Sequence, residues 1–271
     1  MIKKIFYISS ILILFLFGIK YTTLDKSWVI KFYIDNGESQ SRTLIYIKGD
    51  KMKIVTKNQI YIYNSDSKTI NLVNQKERAY WSGKVNNFRK AVAEFKMQND
   101  DDFLSNDVSF LRNLNSVDTK YLEEMISRRT GKNPLMPNYG IYNNFNIKST
   151  PNFTSIDDYA VRKYEVINEG KVMEEIWVAE NILSHMGWNM NHFKDFLEAF
   201  FFHTDITPYF NLNSYMKVRK NGLPMKVVIF HDKEKIVIRM DHASRIKLTK
   251  ESFSIPVKFK LRPIQQMLKV N

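Results

Sequence analysis

The sequence predicts an α+β fold: a strongly curved antiparallel β-sheet, a half-barrel, with helices covering its concave face. Three observations predict it. Residues 28–83 alternate short strands with turns. Two stretches, from 85 and over 186–203, change to a helical period. Strand pattern returns between and after them.

The opening meander carries the most information. Runs at 29–34, 43–47, 51–55, 59–63, 69–73 and 78–81 are rich in β-branched and aromatic residues. Asn36-Gly37, Gly49-Asp50, Lys57-Asn58, residues 64–67 and Asn74-Gln75 punctuate them, as tight turns punctuate hairpins. Side chains alternate across a strand, so Trp28, Ile30, Phe32 and Ile34 share one face. Ile60 and Ile62 share a face with Tyr61 and Tyr63 opposite, and Ile70 and Leu72 pair in the same way. Tyr46, Tyr61, Tyr63, Tyr80 and Trp81 are expected to coat the outside of the curve. They could line a groove, but ordinary packing on a sheet face is the reading that strand preferences favour.

From Val85 the period lengthens. Phe88, Val92 and Phe95 recur at helical spacing until Asn99. Asp100, Asp101 and Asp102 are adjacent acids without the alternating ligands and central glycine of a calcium loop, so a solvated loop is expected. Asp118 can cap a helix over 119–129 that ends at Gly131. An irregular segment follows to about Ser155. Asn152-Phe153-Thr154 matches a glycosylation acceptor, a match short enough to arise by chance.

Strands resume over 161–168 and 172–179 around a turn at 168–171. In the helix over 186–203, Phe193, Phe196, Leu197, Phe200 and Phe201 form an apolar stripe, and Phe202 faces elsewhere. Core packing accounts for such a stripe more readily than a ligand or a membrane does. His185, His192 and His203 fall on one side of that helix. At about 1.5 Å rise per residue they stand roughly 10 and 16 Å apart, too far to share a metal with bonds of about 2 Å. Asn221-Gly222 then predicts a hairpin between 215–220 and 223–231, followed by a strand at 235–247 and a closing segment at 252–256.

Composition narrows the function. The chain has 271 residues with 44% apolar content, enough for a real core. It has no cysteine, which excludes disulfides, thiolate metal sites, cysteine nucleophiles and a lipidated N-terminal cysteine. The formal charge is +13, but the lysines are dispersed along the chain, so nucleic acid is not an expected partner. Lys3 and Lys4 precede an apolar run at 5–19, the pattern of an export signal. The run is short for a spanning helix, which favours cleavage, while Phe17, Ile19 and Tyr21 crowd the usual cleavage positions, which favours an uncleaved anchor. Residues 1–23 are therefore expected to be a signal peptide or N-terminal membrane anchor. The body is placed outside the cytoplasm, in a bacterial periplasm or cell envelope.

The order of motifs then points to a family. I-K-G-D-K-M-K at 47–53 lies in the meander, before the first helix. K-Y-E-V-I-N-E-G at 163–170 runs into E-I-W-V-A at 175–179. N-G-L-P-M at 221–225 and F-S-I-P at 253–256 follow the second helix. This order resembles the LolA/LolB-like superfamily, the periplasmic lipoprotein-carrier fold, in an extracytoplasmic branch of it. The resemblance covers roughly 28–261. It implies one domain over 24–271 with a helical and irregular insertion at about 84–157. It also implies a concave cavity that in the carriers holds acyl chains.

The expected function is non-enzymatic binding of a hydrophobic ligand, lipid or acylated partner in the half-barrel. The alternative is a structural or regulatory envelope protein with a filled core, acting through a protein partner. No Gly-x-Ser-x-Gly, His-Glu-x-x-His or phosphate loop occurs, and Asp157 and Asp158 as strand neighbours would point apart. No cofactor, metal or catalytic residue is expected. The candidate ligand-binding residues are Trp28, Ile30, Phe32, Ile60, Ile62, Phe193, Phe196, Leu197, Phe200 and Phe201. A membrane surface is a further expected partner.

Overall fold

The computed structural model describes residues 27–35, 37, 39–99, 146–168, 170–180, 190–203, 218, 222–231 and 234–268. Several expectations lie outside these residues: the export segment, the acids at 100–102, the helix at 119–129, the irregular stretch up to 145, and His185. The side chains of Phe201, Phe202 and His203 lie outside them as well.

Six strands form the predicted meander: β1 (Ser27–Asp35), β2 (Gln40–Lys48), β3 (Lys51–Val55), β4 (Gln59–Asn64), β5 (Thr69–Asn74) and β6 (Ala79–Lys84). Helix α1 (Val85–Asn99) follows. Then come β7 (Asn146–Ile156), β8 (Tyr159–Asn168) and β9 (Lys171–Glu180). A short 3-10 turn, Met190–Phe193, leads into α2 (Lys194–His203). The chain continues through β10 (Gly222–His231), β11 (Glu234–Arg245), a second 3-10 turn (Lys250–Phe253), β12 (Lys260–Leu261) and α3 (Ile264–Leu268).

All twelve strands belong to one curled sheet in the order β12-β6-β5-β4-β3-β2-β1-β11-β10-β9-β8-β7. Neighbours are antiparallel except β12, which runs parallel to β6. The two meanders are joined through β1, where Ile30 pairs with Ile45 on one side and Ala243 on the other. The turns behave as their chemistry demands. Gly37 has φ +84, and its N–H donates to Asp35 Oδ1 at 2.8 Å. Gly49 turns β2 into β3 at φ +56.

The β2–β6 end of the sheet is covered on both faces. On one face α1, α2 and α3 pack against Ile47, Met52, Ile54, Tyr61, Tyr63 and Leu72. On the other, the chain after β11 crosses as a strap. Leu248 and Phe253, helped by Ile246, Ile255 and Phe259, bury Ile60, Ile62 and Val73. Lys53 Nζ donates to Ser252 O at 3.1 Å, and Lys48 Nζ to Leu248 O, tying the strap down. The strap then supplies β12 at the sheet edge and α3 on the helical face.

Four elements differ from the sequence reading. Tyr61 and Tyr63 do not coat the outside; each is 1% exposed beneath the helices, because the alternation that sends Ile60 and Ile62 to the strap sends them the other way. β7 occupies part of the segment read as irregular. Gly222 does not turn a hairpin: it opens β10, opposite Glu180 of β9, while Val218 is helical. β12 and α3 were not foreseen at all.

Candidate functional site

The candidate residues fall into three separate clusters. Phe193, Phe196, Leu197 and Phe200 enter the helix-side core and fill it. Phe196 stacks on Tyr63 with ring centroids 4.9 Å apart and planes 9° from parallel. Phe200 meets Tyr61 edge-on at 4.9 Å. Burial pushes the Tyr63 phenol up to about 12, with the Asp195 carboxylate adding to it. The Tyr61 hydroxyl donates to Gln59 Oε1, and Gln59 Nε2 donates to Met267 O at 2.8 Å, so the polar atoms under the helices are partnered too. Ile60 and Ile62 lie on the opposite face, beneath the strap, and share no surface with these phenylalanines.

Trp28, Ile30 and Phe32 belong to a third cluster. These three continue the helix-side face across β1, whereas the register sets Trp177 with Lys226 and Arg239 on the opposite face from Phe32 and Met240. Val161, Ala179, Leu223, Met225 and Met240 are the cluster's buried members. Trp28, Phe32, Tyr159 and Trp177 pack against them and remain half-buried. Every residue of this wall comes from a strand, and among the described residues no helix contributes to it.

Register explains how the wall is assembled. Phe32 pairs with Met240, Leu223 with Ala179, and Trp177 lies between Lys163 on β8 and Lys226 on β10. Lys226 Nζ stands 4.7 Å from the Trp177 ring centroid and Lys163 Nζ 5.6 Å. Lys163 is also paired with Glu175 at 2.5 Å and Glu165 at 2.9 Å. The hydrogen bond to Glu175 is the main reason its pKa lies above the ordinary lysine value. Trp28 carries the Arg245 guanidinium 5.2 Å from its ring centroid. Both tryptophans thus present an aromatic ring with a cation against it.

Sequence reasoning missed Trp177, Tyr159, Met225 and Met240. Trp177 carries a signal in retrospect: it follows Glu175 and Ile176 in strict alternation, so it shares a face with Ala179 rather than Val178. Its place between Lys163 and Lys226 depends on β9 pairing with β8 and β10, which no local pattern reveals. Among the described residues no group of three or more His, Asp or Glu side chains is placed to hold a metal ion. No helix among them is long and apolar enough to cross a membrane.

No protein-family model matches the chain, and no curated protein matches it. Solved structures align with most of the chain at low TM-scores. An uncharacterized conserved protein from Thermus thermophilus is 6% identical, with 88% of this chain and 91% of that one aligned at a TM-score of 0.43. PNGF-II is 11% identical at 0.36; the alignment covers 89% of this chain but 32% of that one, so this chain spans about a third of its length. A LolA superfamily protein from Nitrosomonas europaea is 8% identical at 0.28, covering 86% and 91% of the two chains. At these TM-scores none of the three tells what this chain binds or does.

Proposed function

We propose that this protein is an exported, non-enzymatic binding protein of the cell envelope that holds a hydrophobic ligand, a lipid or an acyl chain, against the strand-built wall. The supporting observation is a contrast within the helix-side face. Over β3–β6 that face is filled by phenylalanines 0–4% exposed, whereas over β1 its Trp28 and Phe32 stay half-buried. Half-buried aromatics gain free energy from an apolar guest, at about 25 cal/mol per Å² covered. The apolar run at 5–19 behind Lys3 and Lys4 supports export.

On this reading Phe193, Phe196, Leu197 and Phe200 hold the helices on the sheet, and the half-buried Trp28 and Phe32 meet the ligand. Native mass spectrometry after gentle purification is expected to show co-purifying lipid. A fluorescent fatty acid is expected to quench tryptophan emission. Trp28→Ala and Phe32→Ala should each weaken uptake roughly tenfold or more, the equivalent of about 1.5–3 kcal/mol of lost burial, and Trp177→Ala, on the other face, should not. A clean apo mass together with no fatty-acid uptake would sink the proposal.

The dense ring packing beneath α2 favours a second reading, a regulatory or structural envelope protein acting through a protein partner. That reading predicts a crosslinked protein partner and binding that is indifferent to lipid.

A further inference from the structure

Two turns meet at one corner of the sheet. The β5–β6 turn closes with Arg78 N–H donating to Gln75 O at 3.4 Å, and Arg78 has φ 49. The strap turns again where Phe259 N–H donates to Pro256 O at 3.4 Å, with Lys258 at φ 76. Lys260 N–H donates to Arg78 O at 2.9 Å and Arg262 N–H to Tyr80 O at 2.9 Å, which fixes the two turns side by side.

Their side chains make an unusual surface. Lys76, Arg78, Lys258, Lys260 and Arg262 are all exposed, and Glu77 is the acid of the two turns. Among these cations stand Val257, 87% exposed, and Leu261, 64% exposed. Phe259, between them, is the residue that packs inward under the strap. The fold therefore uses Phe259 and leaves its two apolar neighbours in water. A single exposed leucine needs no explanation. Two apolar side chains on an edge set with five cations are a different matter, because the combination matches the chemistry of a lipid headgroup layer: phosphates outside, hydrocarbon beneath.

We propose that this corner docks onto an anionic phospholipid surface, the five cations meeting phosphates while Val257 and Leu261 enter the interface. Charge decides against the other occupants. A second copy would set five cations against five. The centre of a protein interface is depleted in lysine, whereas lysine is abundant here.

The chain has no cysteine, so V257C carries a unique environment-sensitive label on the full-length protein. The apolar stretch at 5–19 would partition into any bilayer, so the readout is the label, not total binding. With phosphatidylcholine vesicles containing phosphatidylglycerol, the label is expected to blue-shift and become shielded from an aqueous quencher. With phosphatidylcholine alone, or at high salt, it should not. A label at K171C, in the other half of the sheet, should report water throughout. K258Q and K260Q should each lower the apparent association of the corner roughly fivefold. No shift at position 257 with the anionic vesicles would overturn the proposal. So would an equal shift at 171, or a lipid-free shift that grows with protein concentration, which would mean self-association.

Discussion

Glu174 is the residue least at ease in this structure. It faces Val166 and Ile229 across β9, is 1% exposed, and its Oε1 has no hydrogen-bond partner. Burial holds its carboxyl well above the ordinary range. The unfolded chain ionises this acid near about pH 4.3, while the folded chain keeps the proton. The folded state therefore binds more protons above that point, and stability falls as pH rises toward the folded pKa, by up to about 1.4 kcal/mol per unit. Glu174→Gln is expected to flatten that slope and to exceed the parent in stability at neutral pH. Urea unfolding followed across roughly pH 5–8 checks this; an unchanged slope would count against a neutral Glu174. Two glycines make a second comparison. A Cβ on Gly222 would stand 2.1 Å from Ala179 O, a backbone atom, whereas one on Gly49 meets open space and bears only the strain of φ +56. Gly222→Ala should cost about 3 kcal/mol or more and Gly49→Ala about 1–2, read as a difference in denaturation midpoints. The Gly49 turn was legible because Gly-Asp between alternating apolar runs is local chemistry. The need for glycine at 222 was not, because the clash comes from a strand more than forty residues earlier.

At the scale of elements, the strap and α3 lock the meander. Met267 is 0% exposed, and its carbonyl accepts from Gln59. Met267→Ala should destabilise by about 2–5 kcal/mol, as buried methionine truncations do, measured by chemical denaturation; a cost near zero would mean α3 is not docked in solution. The same elements mark where pattern reading fails. The strands of the meander announce themselves by alternation and turns. β7 does not: Lys148, Ser149, Pro151 and Asn152 give it no apolar face, since it is an edge strand and largely exposed. β12 has two residues and α3 five, too short for any period to emerge. α2 was legible as an amphipathic stripe, but its target was not, because Tyr61 and Ile60 are equally fit to sit inside.

Across the whole molecule, one sheet has two unlike parts. Its β2–β6 end is closed on both faces, and on β1 beside it Trp28 and Phe32 stay half-buried. If the wall binds a lipid, the ligand should stabilise the folded chain by linkage, about 2.7 kcal/mol at a hundred times its Kd. The raised midpoint should vanish in Phe32→Ala. The existence of an aromatic face was readable from Trp28, Ile30 and Phe32. Its extent was not, because Met240 joins it only after β11 pairs with β1.

That last pairing has a kinetic meaning. β1 is made first among the strands, and its second neighbour, β11, is made almost last. Until β11 arrives, β1 is a bare apolar edge able to pair with any other strand. About 200 residues separate β1 from β11, so the joining of the two meanders is a late, high-contact-order event. A chain of this design spends its synthesis as two partial sheets sharing one unsatisfied seam, and that seam is where misassembly or a chaperone would take hold.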